Sequence, residues 1–203
     1  MTNAYIDKPH PLPPYMADSV VEVHQGGGTL AQAVLASAPE GMLIAPLWKR
    51  IGAFMLDVVM VTLVLEVVTR FKFLSVLISW NYLTESVDYV FPFFVTWLIF
   101  FTSFYLYWKY SGRSLGRSFG QRAFRIAIVH DNGTAIEIHH WGPRAFGKLL
   151  YLLPIIGPLW FGLRDSLAAR SKNAEYRTAL DLKNHTVAAV DWSLPVETRQ
   201  KLR

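Results

Sequence analysis

The first long apolar stretch begins behind Trp48-Lys49-Arg50 and runs from Ile51 to Thr69. Its 19 residues make about 28 Å of helix at roughly 1.5 Å per residue, close to the roughly 30 Å hydrocarbon core of a bilayer. Arg70 and Lys72 close the far end, and the apolar run Phe71 to Trp80 suits a helix lying against the outer interface. The second crossing is Tyr89 to Trp108, twenty residues without a charge, eleven of them aromatic. A third stretch, Leu149 to Leu163, has only fifteen residues and is broken by Pro154, Gly157 and Pro158. A run that short is more often re-entrant or interfacial than spanning. The pattern therefore predicts an all-α membrane protein with two transmembrane helices and a short, broken third apolar hairpin or span.

Between the second and third stretches the period changes. Phe124, Ile126 and Ile128 alternate with Arg125, Ala127 and Val129, then Asp131-Asn132-Gly133-Thr134 leads into Ala135-Ile136-Glu137-Ile138. Asn-Gly between two such runs is a strong signal for a tight hairpin turn. A small cytoplasmic β-hairpin insert is expected, too short to be stable unless it lies on the rest of the protein.

Residues 1–45 read as a flexible N-terminal arm, with the run His10-Pro11-Leu12-Pro13-Pro14 and the triplet Gly26-Gly27-Gly28. A short helix over Thr29 to Ala38 is compatible with its apolar side. No signal-peptide pattern opens the chain, since Asp7, Lys8 and four prolines occupy the first twenty residues. Residues 46–190 then form the membrane domain and 191–203 a C-terminal tail.

Composition agrees with this outline. Of the 203 residues 52% are apolar and 17% charged, whereas soluble domains average about 25% charged. The net charge of +5 permits a nucleic-acid reading, but its placement argues against one. Seven cations against two acids lie between Lys109 and Lys148, and eight against five between Arg164 and Arg203, so the positive charge flanks apolar segments. That is the habit of cytoplasmic loops. A full third crossing would put the second basic segment outside, whereas a hairpin that dips in and returns keeps both inside. With no cysteine there is neither a thiol nucleophile nor a thiolate metal site.

Few residues carry candidate chemistry. Arg50 and Asp57 are seven apart, so on a helix they share a face and stand about 10 Å apart along the axis. Asp57 lies about two turns in, where facing lipid would cost roughly 2.5 to 3.5 kcal/mol. A partner must offset that: Arg50 at full stretch, water, a loop cation, or a hydroxyl on the second helix such as Thr96, Thr102 or Ser103. Asp57 is either a buried polar pin between helices or an ion or proton site. Glu66, half a turn round, reads as an interfacial acid.

Gly112, Gly116 and Gly120 recur every four residues, with Arg113, Arg117 and Arg122 among them. On one helix they would make a strip for close packing. In a loop their amides and guanidiniums would cradle an anionic headgroup. The serines lack a nucleophile elbow. His139-His140, read as a strand end, would point to opposite faces without a spaced acid or cysteine, so no metal, cofactor or catalytic site is expected.

Three segments carry a family resemblance. Arg50-Ile-Gly-Ala53-Phe-Met-Leu-Asp57, Gly116-Arg-Ser-Phe-Gly120-Gln-Arg122-Ala-Phe-Arg-Ile126-Ala-Ile-Val129 and Arg177-Thr-Ala-Leu-Asp181-Leu-Lys-Asn-His-Thr186-Val187 together resemble the RDD family of membrane proteins, named for an arginine and two aspartates. The likeness covers about residues 46 to 190. Leu180 stands where the family usually has His, and Asn184-His185 where it has Ala-Gly before the Thr. The resemblance implies a polar set of Arg50, Asp57 and Asp181, with transport, including sodium or proton exchange, proposed for some members and accessory roles for others. The expected protein is a noncatalytic subunit or accessory factor of a membrane complex. The alternative is an oligomeric ion or small-solute transporter using Asp57. Its expected surroundings are the lipid bilayer and other membrane subunits or copies of itself, not nucleic acid, in the bacterial plasma membrane with both termini cytoplasmic.

Overall fold

The computed structural model describes residues 42–79, 87–171 and 174–202. The expected helix at Thr29 to Ala38 and nearly all of the N-terminal arm lie outside them.

Helix α1, Leu47–Val68, starts directly after Pro46, whose extended backbone (ψ 150°) turns the chain into the first turn. Its 22 residues reach about 33 Å. At the far end Thr69 folds its hydroxyl back onto Leu65 O at 2.8 Å, and Arg70 and Phe71 take left-handed conformations that reverse the chain. The short α2, Phe73–Ile78, then lies against both long helices through buried Phe73 and Leu77. Glu66, expected at the interface, is buried and accepts a hydrogen bond from the Leu74 amide, closing the open amino end of α2.

Helix α3, Val87–Leu115, is longer than the expected crossing and continues through Lys109 as a polar turn. Its aromatic residues divide between two faces. Phe93, Phe100, Phe104 and Trp108 point inward at helical spacing. Phe100 meets Phe104 at 4.8 Å, Phe104 meets Trp108 at 5.3 Å, and Phe54 of α1 stacks on Trp108 at 5.6 Å. This aromatic spine, with Val61 and the α2 residues, is the core between the long helices. Phe91, Phe94 and Leu98 face outward, apolar surface suited to lipid.

Helix α3 ends at Gly116, whose φ of 68° only glycine adopts freely. The short α4, Phe119–Ala123, follows with a reciprocal capping box between Ser118 and Gln121. Strand β1, Ile126–His130, comes next, and here the structure corrects the expected hairpin. The turn is present, with Gly133 at φ 76° and Asn132 accepting from the Thr134 amide at 3.1 Å, but only the single bridge Val129 to Ala135 forms across it. The true partner is β2, Thr186–Val190, antiparallel, with Ile126 opposite Val190 and His130 opposite Thr186. The reason lies in both faces of β1. Continuing the bridge by register would set Glu137 beside Ala127, which is fully buried, whereas Val187-Ala188-Ala189-Val190 supplies apolar residues to both sides. The end of the arm joins the same sheet: Ala45 N donates to Ala188 O at 2.7 Å and Val190 N to Leu43 O at 2.8 Å. Ile126, Ile128, Ala188 and Val190 cover one face together with Ala45, Ala53 and Trp141. Ala127, Val129 and Ala189 cover the other with Leu194 and Leu202.

After a 3-10 turn at Ile138–His140, α5 (Trp141–Leu149) runs along α3 and tightens into a second 3-10 turn, Leu150–Leu152. The chain breaks at Pro154 and Ile155, the latter at φ 64°, and resumes as a π-helical turn, Gly157–Gly162, leading into α6, Leu163–Ala168. The two limbs, Ile138–Leu152 and Gly157–Ala168, meet at 111°. The third apolar stretch is thus a bent helical pair. Helix α7 (Ala179–Lys183), β2 and α8 (Val196–Lys201) complete the described chain. Residues 191–202, expected as a tail, belong to the fold through buried Leu194, Thr198 and Leu202.

Candidate functional site

Asp57 projects from α1 into the junction of α3 and α4 and is 1% exposed. Its Oδ1 accepts from the Tyr107 hydroxyl at 2.7 Å and from the Gly120 amide at 2.7 Å. Its Oδ2 accepts from the Ser118 hydroxyl at 2.6 Å and from the Trp108 indole at 3.2 Å. Tyr107 in turn accepts from the Phe119 amide at 3.0 Å, so the start of α4 is tied to the carboxylate both directly and through the phenol. The expectation of a second-helix hydroxyl is met by type, with Tyr107 in the place given to Thr96, Thr102 or Ser103. Thr96 donates instead to Pro92 O.

Close approach at this seam needs glycine. A Cβ on Gly120 would stand 2.0 Å from Ala53 O and 2.8 Å from Asp57 Oδ1. The glycine series is nevertheless neither one helical strip nor one loop. Gly112 lies in α3, where a Cβ would enter the Trp141 ring, Gly116 ends that helix, and Gly120 starts α4. Its arginines divide too: Arg117 is buried and paired with Asp191 at 2.9 Å, while Arg113 and Arg122 are exposed. The segment is therefore a packing element, and three arginines do not converge there as an anion cradle.

Arg50 does not meet Asp57. Its Nε donates to Ala45 O at 2.9 Å and its Nη1 approaches Asp181 Oδ2 at 3.5 Å. The shorter bond to Asp181 comes from Arg144 of α5, whose Nη2 donates to Oδ1 at 2.6 Å while Nη1 reaches the Thr186 hydroxyl. Burial alone would raise the Asp181 carboxyl, but Arg144 and Arg50 outweigh it and hold the group below the ordinary 3.8. The same residue caps α7 by accepting from the Thr178 amide. A second ion cluster ties Arg177 to Asp131 at 2.7 Å and to Glu175 at 3.3 Å, joining the turn after β1 to the approach to α7.

Between these centres lies a cavity of about 490 Å³, bounded by α1, α5, the bent pair, α7 and the sheet. Arg50, Asp57, Arg144 and Asp181 reach its wall, together with Lys148 and Asp165. Arg144, Lys148 and Asp165 were not among the sequence candidates. Arg144 and Lys148 are one turn apart at the end of the basic segment that precedes the third apolar stretch, and that spacing was their only signal.

The histidines also differ from expectation. Ile138–His140 is a helical turn and not a strand end, so the His139 and His140 rings lie 4.1 Å apart, and Glu137 Oε2 is 3.3 Å from His139 Nδ1. Glu137, His139 and His140 thus offer three ligand atoms of the kind metals accept, within 4.8 Å of one another on an open surface.

Two helices long and apolar enough to cross a membrane, a bent third pair and a small sheet, joined by buried carboxylates, define a small, mostly helical membrane protein. A sequence model of the RDD family matches residues 44–173, well over half of the chain. The chain belongs to the RDD family. No curated protein and no solved structure matches it. The motif around Asp181 lies beyond the matched residues, so its place beside Arg50 rests on the contacts above.

Proposed function

We propose that the protein is a noncatalytic membrane subunit or accessory factor in which the arginine and the two aspartates lock the fold together. The observation that carries this reading is the state of Asp57. A carboxylate that already accepts four hydrogen bonds while almost wholly buried has little capacity left to coordinate a passing ion. Asp181 is similarly engaged by two guanidiniums. The proposed location is the bacterial plasma membrane with both termini cytoplasmic. The 111° bend supports a pair that returns to its starting side, which keeps both basic segments inside.

A second reading, an oligomeric ion or small-solute transporter, has one observation in its favour: the cavity reaches both Asp57 and Asp181. Flux into proteoliposomes for the native chain and Asp57→Asn, alongside co-purification from native membranes, separates the two. The subunit reading expects no flux from either sample and recovery of a membrane partner. Asp57-dependent flux from the purified chain alone would overturn it.

A further inference from the structure

The cavity differs from an ordinary gap between helices in its polar end. Its volume of about 490 Å³ lies in the range of small-molecule pockets, roughly 300 to 1,000 Å³. Ile51, Leu159 and Leu163 form part of its wall and are themselves exposed, so in a bilayer the cavity opens sideways toward acyl chains.

The other end of the wall is charged. Arg50, Arg144 and Lys148 stand against Asp57, Asp165 and Asp181, but Asp165 is also paired with Arg164 at 3.2 Å, from outside the wall. Two donors there lack acceptors. Arg144 is 4% exposed, and its Nε is buried without a hydrogen-bond partner. The half-buried Lys148 ammonium lies over the Trp108 ring at 5.2 Å and meets no acceptor oxygen among the described residues. Unmatched donors in a low-dielectric wall favour one anionic group at that point. The carboxylates cannot serve, since each is already held by other donors: Asp57 by four, Asp165 by Tyr151 and Arg164, and Asp181 by Arg144 and Arg50.

We infer that the cavity is a binding site for an anionic amphiphile, a single negatively charged head held by Arg144 and Lys148 with its apolar chain along Ile51, Leu159 and Leu163. Such a head reaches the site from the membrane as a phosphodiester lipid or as a free fatty carboxylate, and both offer the same oxygens. The site shares Arg144 with the polar set on which the subunit reading rests, while the variants that test it, at Lys148 and Gly162, leave that set in place. A binding test involves neither flux nor a partner, so either idea can fail alone.

Native mass spectrometry of the full chain, released from nanodiscs of phosphatidylcholine doped with phosphatidylglycerol or oleate, reads the bound amphiphile. The native chain is expected to keep one phosphatidylglycerol or one oleate and no phosphatidylcholine. The doped species retained identifies the source. Lys148→Gln should reduce retention at least tenfold and Lys148→Arg should restore it, which a packing role for the side chain would not produce. Gly162→Leu narrows the apolar end with the charges intact, and its added Cβ meets only Gly157 O at 3.5 Å, an ordinary contact. It too should lose the amphiphile while unfolding at the native temperature. Equal retention of phosphatidylcholine, no adduct on the native chain, or unchanged retention by both Lys148→Gln and Gly162→Leu would overturn the inference.

Discussion

Replacing Asp57 by alanine tests the seam most directly, because its four donors would respond unequally. The hydroxyls of Tyr107 and Ser118 can rotate toward other acceptors, whereas the indole N–H of Trp108 and the amide of Gly120 are fixed by the framework. Each fixed donor left buried without an acceptor costs about 1 to 3 kcal/mol, so Asp57→Ala should destabilise the folded chain by about 2 to 6 kcal/mol. Asparagine keeps the volume and one acceptor oxygen. Its carboxamide satisfies one fixed donor and turns an N–H toward the other, so about half that loss, ~1 to 3 kcal/mol, is expected. The measurement is unfolding of the purified chain in mixed micelles by increasing SDS, followed by tryptophan fluorescence. A loss below about 1 kcal/mol for alanine, or a larger loss for asparagine than for alanine, would refute the donor argument.

At the second centre, Arg144→Gln should cost about 3 to 5 kcal/mol, since it strips the close partner from a buried carboxylate, and Arg50→Gln clearly less, because its contact to Asp181 is 3.5 Å against 2.6 Å; the same titration ranks them. The depressed Asp181 carboxyl contributes stability that is fully present above the ordinary carboxylate value of 3.8 and is lost as pH falls through the lower folded value. Thermal unfolding from pH 7 to 3 should therefore show an acid limb that is smaller in Asp181→Asn, and an identical limb in both would contradict the assignment. Gly120→Ala should cost about 3 kcal/mol or more, because the methyl group would have to part α4 from the α1 backbone, while Gly162→Ala should unfold within a degree or two of the native chain. Circular dichroism melts of the two variants check this.

The long helices and Asp57 were legible because hydrophobic length and a lone acid within it are local signals. The partners of that acid were not, although Ser118 and Gln121 stand at capping-box spacing and so marked the helix start that supplies two of its donors. The hairpin expectation failed for a different reason. A turn can be read from Asn132-Gly133, but which strand covers β1 depends on both its faces, and the answer lies in residues 186–190, far along the chain. Arg144 was invisible for the same reason: its importance comes from Asp181 and Thr186, which share no local pattern with it. The resemblance grouped Arg50 with Asp57 and Asp181, and of the two aspartates Arg50 contacts Asp181, a pairing no periodicity would suggest.

The order in which these contacts can form has a consequence for biogenesis. Synthesis runs from the amino end, so α1 reaches the membrane carrying an acid whose acceptors stay empty until Tyr107, Trp108, Ser118 and Gly120 have followed, some 50 to 63 residues later. Arg50 waits longer still, since Asp181 lies 131 residues downstream. Until then the nascent first helix is a poor membrane resident, and the arm segment leading into it has no strand to pair with before β2 is made. A chain truncated before residue 186 would keep both long helices and the residues of the Asp57 seam yet leave β1 unpaired, so the C-terminal segment completes the fold and is not an appendage to it.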